Sequence, residues 1–68
     1  MANKIKSLLD IAVKNSDKWV EGSNEIRTTL NGIETSIRFY VENGQIVNLD
    51  GFVGFSTRVI GNLIDLIK

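Results

Sequence analysis

Residues 26–41 read IRTTLNGIETSIRFYV, and apolar and polar side chains alternate on both sides of a central Asn-Gly pair. Alternation with a period of two is typical of a strand with one buried face. Asn-Gly supplies the two positive-φ residues that a type I′ turn requires. We therefore predict a hairpin with a two-residue turn that pairs Leu30 with Ile33 and Ile26 with Ile37.

A third strand is predicted after this hairpin, because a second Asn-Gly pair at 43–44 precedes the apolar stretch 45–49. A two-residue turn there pairs Val41 with Ile46 but turns Leu49 toward the polar face. Either a β-bulge corrects the register, or the second face of the sheet is also partly covered.

The N-terminal stretch 4–18 predicts an amphipathic helix. At 100° per residue, its apolar side chains occupy one arc about 140° wide. Ile11 is the exception, since it projects from the polar side. The arc consists of Ile5, Leu8, Leu9, Ala12, Val13 and Trp19, and we assign Trp19 to the core.

A second helix is predicted from Thr57 to near the C-terminus, with Ser56 as its N-cap. Its apolar arc is about 160° wide, more than one packed face requires. The arc consists of Val59, Ile60, Leu63, Ile64, Leu66 and Ile67. The predicted order is thus α-β-β-β-α. We expect a single α+β domain over residues 1–68, a three-stranded antiparallel meander with two helices packed on one face.

The composition excludes several kinds of chemistry. The 68 residues include no cysteine and no histidine, so disulfides, thiolate metal sites and the commonest general base are absent. Eight basic residues balance eight acidic ones, and such a neutral chain lacks the charge expected of a nucleic-acid binder. We expect no metal and no cofactor. We also expect a cytoplasmic protein, since no apolar run resembles a secretory signal or a membrane span.

Excess apolar surface is the main indication of function. A domain of this size rarely stabilises itself by more than about 3–5 kcal/mol without a staple, and oligomerisation is the staple that this composition leaves. Exposed apolar patches usually mark interfaces. The interface candidates are Ile11, Phe52, Val53, Phe55, Ile60, Ile64 and Ile67.

A second set of residues suggests ligand binding. Arg27, Arg38 and Tyr40 share the polar face of the predicted sheet, where they offer bidentate donors and a stacking surface. Ser56, Thr57 and Arg58 lie at the start of the predicted second helix, where free backbone N–H groups can bind an anion.

Three hypotheses of function follow. The first is a non-catalytic binding protein that acts through protein–protein contacts as a small homo-oligomer, in the manner of inhibitors or of phage and plasmid accessory proteins; its partners are itself and an unidentified protein. The alternative is a binder of nucleic acid or of a small phosphorylated ligand, through the sheet face and the second helix N-terminus. The third and least favoured is a His-free hydrolase or nuclease.

Overall fold

The described part of the chain forms a four-stranded mixed sheet with one α-helix. A computed structural model of the protein describes residues 4–55, 57–59 and 61–67. The elements are α1 (Lys4–Lys14), a 3₁₀ turn (Ser16–Lys18), β1 (Gly22–Leu30), β2 (Ile33–Glu42), β3 (Gln45–Val53) and β4 (Asn62–Asp65). The strand order is β3-β2-β1-β4, in which β4 runs parallel to β1 and the other neighbours are antiparallel.

The predicted hairpin is confirmed residue by residue. Leu30 pairs with Ile33 and Ile26 with Ile37. Asn31 and Gly32 have φ values of 52° and 77°, and the second Asn-Gly pair repeats this pattern. Both turns therefore have the positive φ values that a type I′ hairpin demands.

The register of β3 is settled by a β-bulge. Val41 pairs with Ile46 and Tyr40 with Asn48, so Val47 is the extra residue. The bulge turns Leu49 to the face of the sheet that carries the core, opposite Phe39. The polar face is also partly covered, as described below, so both explanations offered for this register hold.

The prediction of an α-β-β-β-α fold with two helices is wrong. Residues 62–65 form β4 rather than a helical turn. Gly61, inside the predicted helix, has a φ of 102°, and its Cα lies against the backbone of Ser23. A glycine also weakens a helix, while the open edge of β1 offers this stretch a full ladder of hydrogen bonds. Ser56 and Ile60 lie outside the described residues.

The predicted first helix is shorter than expected, because α1 ends at Lys14 and Ser16–Lys18 form a 3₁₀ turn. No helix in the described ranges has the length and apolar character needed to cross a bilayer.

The core lies on the face of the sheet that packs against α1, called here the helix face. Its buried side chains are Ala12, Ile26, Ile37, Phe39, Val41 and Ile64, with Leu8, Ile11, Trp19, Ile46, Leu49 and Leu66 packed around them. Trp19 stacks at a tilt on Phe39 with 5.5 Å between ring centroids, and its indole Nε1 donates to the carbonyl of Ala12. The assignment of Trp19 to the core is therefore confirmed.

A buried asparagine joins β1 to β4. Asn24 is 2% exposed, and its Oδ1 accepts hydrogen bonds from the Val20 N–H and from Asn62 Nδ2, both at 3.0 Å. Its Nδ2 donates to the carbonyls of Val20 and Gly22, each at 2.9 Å. A buried amide satisfied on both atoms specifies one arrangement of its neighbours, because any other leaves polar groups unpaired.

Ile64→Asp is expected to unfold the protein. Ile64 is 4% exposed in the core, and an unpaired carboxylate there costs several kcal/mol, roughly the whole stability of a domain this small. The neighbouring Leu63 points to the opposite face beside Glu25 and is 38% exposed, so the control Leu63→Lys should cost about 1 kcal/mol or less. Urea unfolding followed by circular dichroism measures both; a folded Ile64→Asp protein would place this residue outside the core.

Gly61→Ala should be far more harmful than Gly32→Ala. A Cβ at Gly61 would lie 2.4 Å from the Ser23 carbonyl oxygen, whereas one at Gly32 meets nothing within 4 Å. Both glycines have positive φ, so Gly32→Ala carries only the conformational cost of about 1 kcal/mol. Thermal unfolding of the two variants compares them directly. Equal losses would contradict the close approach of β4 to β1.

Candidate functional site

Residues 54–55, 57–59 and 61 belong to the connection between β3 at one edge of the sheet and β4 at the other; these described residues, called here the crossing segment, lie on the face opposite the helix, called here the far face. Ser36 Oγ donates to the Gly54 carbonyl at 2.7 Å, and Arg38 Nη2 donates to the Arg58 carbonyl at 3.4 Å. The guanidinium of Arg27 lies 5.8 Å from the centroid of the Phe55 ring. This crossing segment removes much of the far face from solvent.

A buried ion pair lies on the far face. Glu25 is 1% exposed, and its Oε1 accepts a 2.8 Å hydrogen bond from Arg38 Nε across the β1–β2 ladder. The Glu25 Oε2 atom is buried without a hydrogen-bond partner among the described residues. Arg38 itself is half exposed and stacks on Phe52, with 5.1 Å from guanidinium to ring centroid. The charge of Arg38 is therefore already neutralised by Glu25.

Of the predicted ligand-binding residues, the structure brings three together and does not support the others. Arg27, Arg38 and Tyr40 do share the far face, but both arginines are engaged as described. Thr57 and Arg58 are exposed in a bend and residues 57–59 are not helical, so the prediction of an anion site at a helix N-terminus is wrong; Ser56 lies outside the described residues.

An open groove of about 560 Å³ is lined by residues of β1, β2 and β3. Tyr40, Asn48 and Asp50 line it together with Ser23 and Arg38. One arginine and one aspartate give the groove no net charge, and Arg38 is paired with Glu25. The groove therefore has no concentration of positive charge to hold a phosphate.

The predicted interface residues are scattered. Ile64 lies in the core, and Ile11 is half-buried against it. The rings of Phe52 and Phe55 pack against the guanidinium groups of Arg38 and Arg27, respectively. Val53 and Ile67 remain on the surface, 79% and 38% exposed, and Ile60 lies outside the described residues.

The orientation of α1 exposes an apolar stripe that the sequence analysis placed in the core. Leu9 and Val13 are 40% and 52% exposed, although both belong to the predicted apolar arc. Leu8 lies directly over Gly51 of β3, and Ile11 packs against the core. The helix has turned so that Ile11, not Leu9, faces the sheet.

This stripe projects beyond the β3 edge of the sheet. Among the described strands, α1 packs mainly on β3, which is an edge strand. Leu8 lies over Gly51, and around the helix Ile11 lies about 60° to one side of Leu8 while Leu9 and Val13 lie about 100° and 140° to the other side. Because Ile11 packs against the core, Leu9 and Val13 face outward over the edge.

The same edge carries backbone groups that no described strand pairs. Leu30 and Ile33 flank a type I′ turn, so odd-numbered residues of β2 bond to β1 and even-numbered ones to β3. The 2.7 Å bond from the Gly54 N–H to the Glu34 carbonyl fits this alternation. The N–H and C=O groups of the facing residues in β3, Leu49, Gly51 and Val53, consequently point away from the sheet.

We call this surface the β3 side. It consists of the exposed side chains of Leu9, Val13 and Val53 and the outward backbone groups of Leu49, Gly51 and Val53. In the described residues, the Gly51 N–H has a local acceptor, the Oδ1 of Asp50 at 3.0 Å. An exposed strand edge next to apolar side chains is a template for binding another polypeptide.

In the described ranges, no three His, Cys, Asp or Glu side chains cluster in a way that could hold a metal ion. No family model matches the chain, and neither a curated protein nor a solved structure is significantly similar to it.

Arg38→Met is expected to cost about 2–3 kcal/mol, because it leaves the Glu25 carboxylate buried without its cation. Replacing both partners, Glu25→Leu with Arg38→Met, should recover most of this loss. Urea unfolding of the single and double variants measures the coupling. Arg58→Met is the control, since only its backbone carbonyl contacts Arg38 and the expected change is below about 0.5 kcal/mol. Equal effects of the two arginine substitutions would show that Glu25 does not depend on Arg38.

Proposed function

We propose that this chain is a non-catalytic binding protein that acts through protein–protein contacts, as a small homo-oligomer, and that the β3 side makes these contacts. The observation that carries the proposal is the coincidence of exposed apolar side chains and outward backbone groups on one side of the sheet. Apolar side chains contribute affinity in protein interfaces, and outward N–H and C=O groups fix the orientation of a partner strand through hydrogen bonds.

The rest of the molecule gives less support to other functions. The arginines that a nucleic-acid or phosphate binder would use are engaged by Glu25, Phe52 and Phe55. The helix N-terminus that would bind an anion is replaced by a bend and a strand. The alternative of a ligand binder is therefore the weaker proposal.

The double variant Leu9→Lys with Val13→Lys should be monomeric where the wild type is oligomeric. Both side chains are exposed, so the fold should survive, but two charges on the stripe oppose its burial. Asp10→Lys is a matched control: it changes the net charge by the same two units at an exposed position on the same helix. Native mass measured over a range of protein concentrations is the readout.

We expect the wild type and Asp10→Lys to have a native mass above that of one chain. The double variant should have the mass of one chain and an unchanged circular dichroism spectrum. A wild type that stays monomeric at high micromolar concentration would overturn the oligomeric part of the proposal. An oligomer unaffected by the two lysines would show that the stripe is not the contact.

A further inference from the structure

The proposed function does not specify which polypeptide binds the β3 side, but the geometry of β3 favours a second copy of this chain. Resting on that function, we propose that a second copy of this chain pairs its β3 antiparallel with the first, around a two-fold axis at Gly51. The two sheets then form one continuous eight-stranded sheet in the dimer. A two-fold interface requires a surface that complements itself, and the outward groups of the β3 edge are arranged symmetrically about Gly51.

The outward backbone groups select that register. They belong to Leu49, Gly51 and Val53, so these residues must face the same set in the second copy. A register centred on Gly51 pairs Gly51 with itself and Leu49 with Val53 of the second copy. In this register the Gly51 N–H exchanges its bond with Asp50 Oδ1 for one with the second copy. The most exposed large apolar side chain, Val53 at 79%, thereby gains an apolar neighbour on the helix face.

Charge favours the same register. A two-fold axis at Asp50 would set two carboxylates opposite each other, which destabilises a strand pair. The axis at Gly51 instead sets Asp50 opposite the uncharged Phe52 of the second copy, which avoids this repulsion. The net formal charge of zero adds no long-range repulsion between copies.

The helices complete the interface. An axis perpendicular to the sheet keeps both α1 helices on the same face, where the Leu9 and Val13 stripes meet across the axis. Packed helices lie about 8–10 Å apart, whereas paired strands are about 4.8 Å apart. Each helix axis is then about 4–5 Å from the two-fold axis, and each β3 about 2.4 Å from it. Each α1 must therefore lie about 2 Å farther from the two-fold axis than its own β3, displaced toward the core that Ile11 and Ala12 contact. Apolar helix contact adds area that a strand pair alone lacks.

The other edge of the sheet is a poorer partner. β4 has only four residues, which limits the number of hydrogen bonds that it can offer to another strand. β3 has nine residues, six of them beyond the bulge residue Val47.

Val53→Pro tests the strand pairing. Proline removes an N–H that points away from β2 and is tolerated on an edge strand, so the monomer should keep its fold. Val53→Thr is the control, because it retains the N–H at the same position. Sedimentation equilibrium should show dimerisation weakened about tenfold or more by Val53→Pro, since two intermolecular hydrogen bonds are lost per dimer. Val53→Thr should remain within a few-fold of the wild type.

Leu9→Cys tests the two-fold axis. The chain contains no cysteine, so a single thiol near the axis can only join two copies. Mild oxidation should convert Leu9→Cys to a covalent dimer, while Ser7→Cys, an exposed position about 160° from Leu9 around the helix, should stay monomeric under denaturing electrophoresis.

The outcomes separate this proposal from the function on which it rests. If Leu9→Lys with Val13→Lys dissociates the oligomer but Val53→Pro dimerises like Val53→Thr, the strand pairing is wrong and the protein-binding function stands. If Val53→Pro weakens the dimer and Leu9→Cys cross-links, both stand. If the wild type is monomeric throughout, the second copy is excluded, and only another protein on the β3 side could retain the function.

Discussion

The parallel pairing of β1 with β4 is the constraint on which the rest of the structure depends. It places Ile64 beside Ile26 in the core and Asn62 beside Asn24, whose amide is fully hydrogen-bonded. Because β3 lies at the opposite edge, the chain must cross the whole sheet to reach β4. One pairing thus determines both where the core closes and what covers the far face.

The crossing has two consequences for function. It brings the Arg58 carbonyl to Arg38, which also neutralises the buried Glu25, and these contacts withdraw that cation from ligand binding. It also pairs the second edge of β1 within the chain. The long open edge that remains is β3, with α1 above it. The surface available to a partner is therefore the β3 edge, because the described part of the chain does not pair this edge internally.

Local signals in the sequence were sufficient for the first hairpin but not for the topology. Asn31-Gly32 and the alternation around it specify turn and register together, since any slip would turn Ile26 and Ile37 to the polar face. The C-terminal apolar residues fit a helix and a short strand equally well. The choice between them depends on Gly61 fitting against Ser23 and on β1 having a free edge, and neither is visible in local periodicity.

The candidate site was predicted only in part, for a similar reason. Val53 was identified from its apolar character and lies on the β3 side, whereas Leu9 and Val13 were assigned to the core. The apolar arc of α1 was wide enough to allow several orientations, and contact between Leu8 and Gly51 selects one of them. A glycine in an otherwise apolar strand could have marked that contact, because it admits a close neighbour.

Amide hydrogen exchange at two protein concentrations tests the central claim, that the β3 side is a binding surface, most directly. The Leu49 and Val53 amides point outward, while those of Asp50 and Phe52 bond to β2 and act as internal standards. The account predicts that exchange at Leu49 and Val53 slows as concentration rises, with the standards protected throughout. Fast exchange at both outward amides at every concentration, in a protein of oligomeric mass, would contradict it.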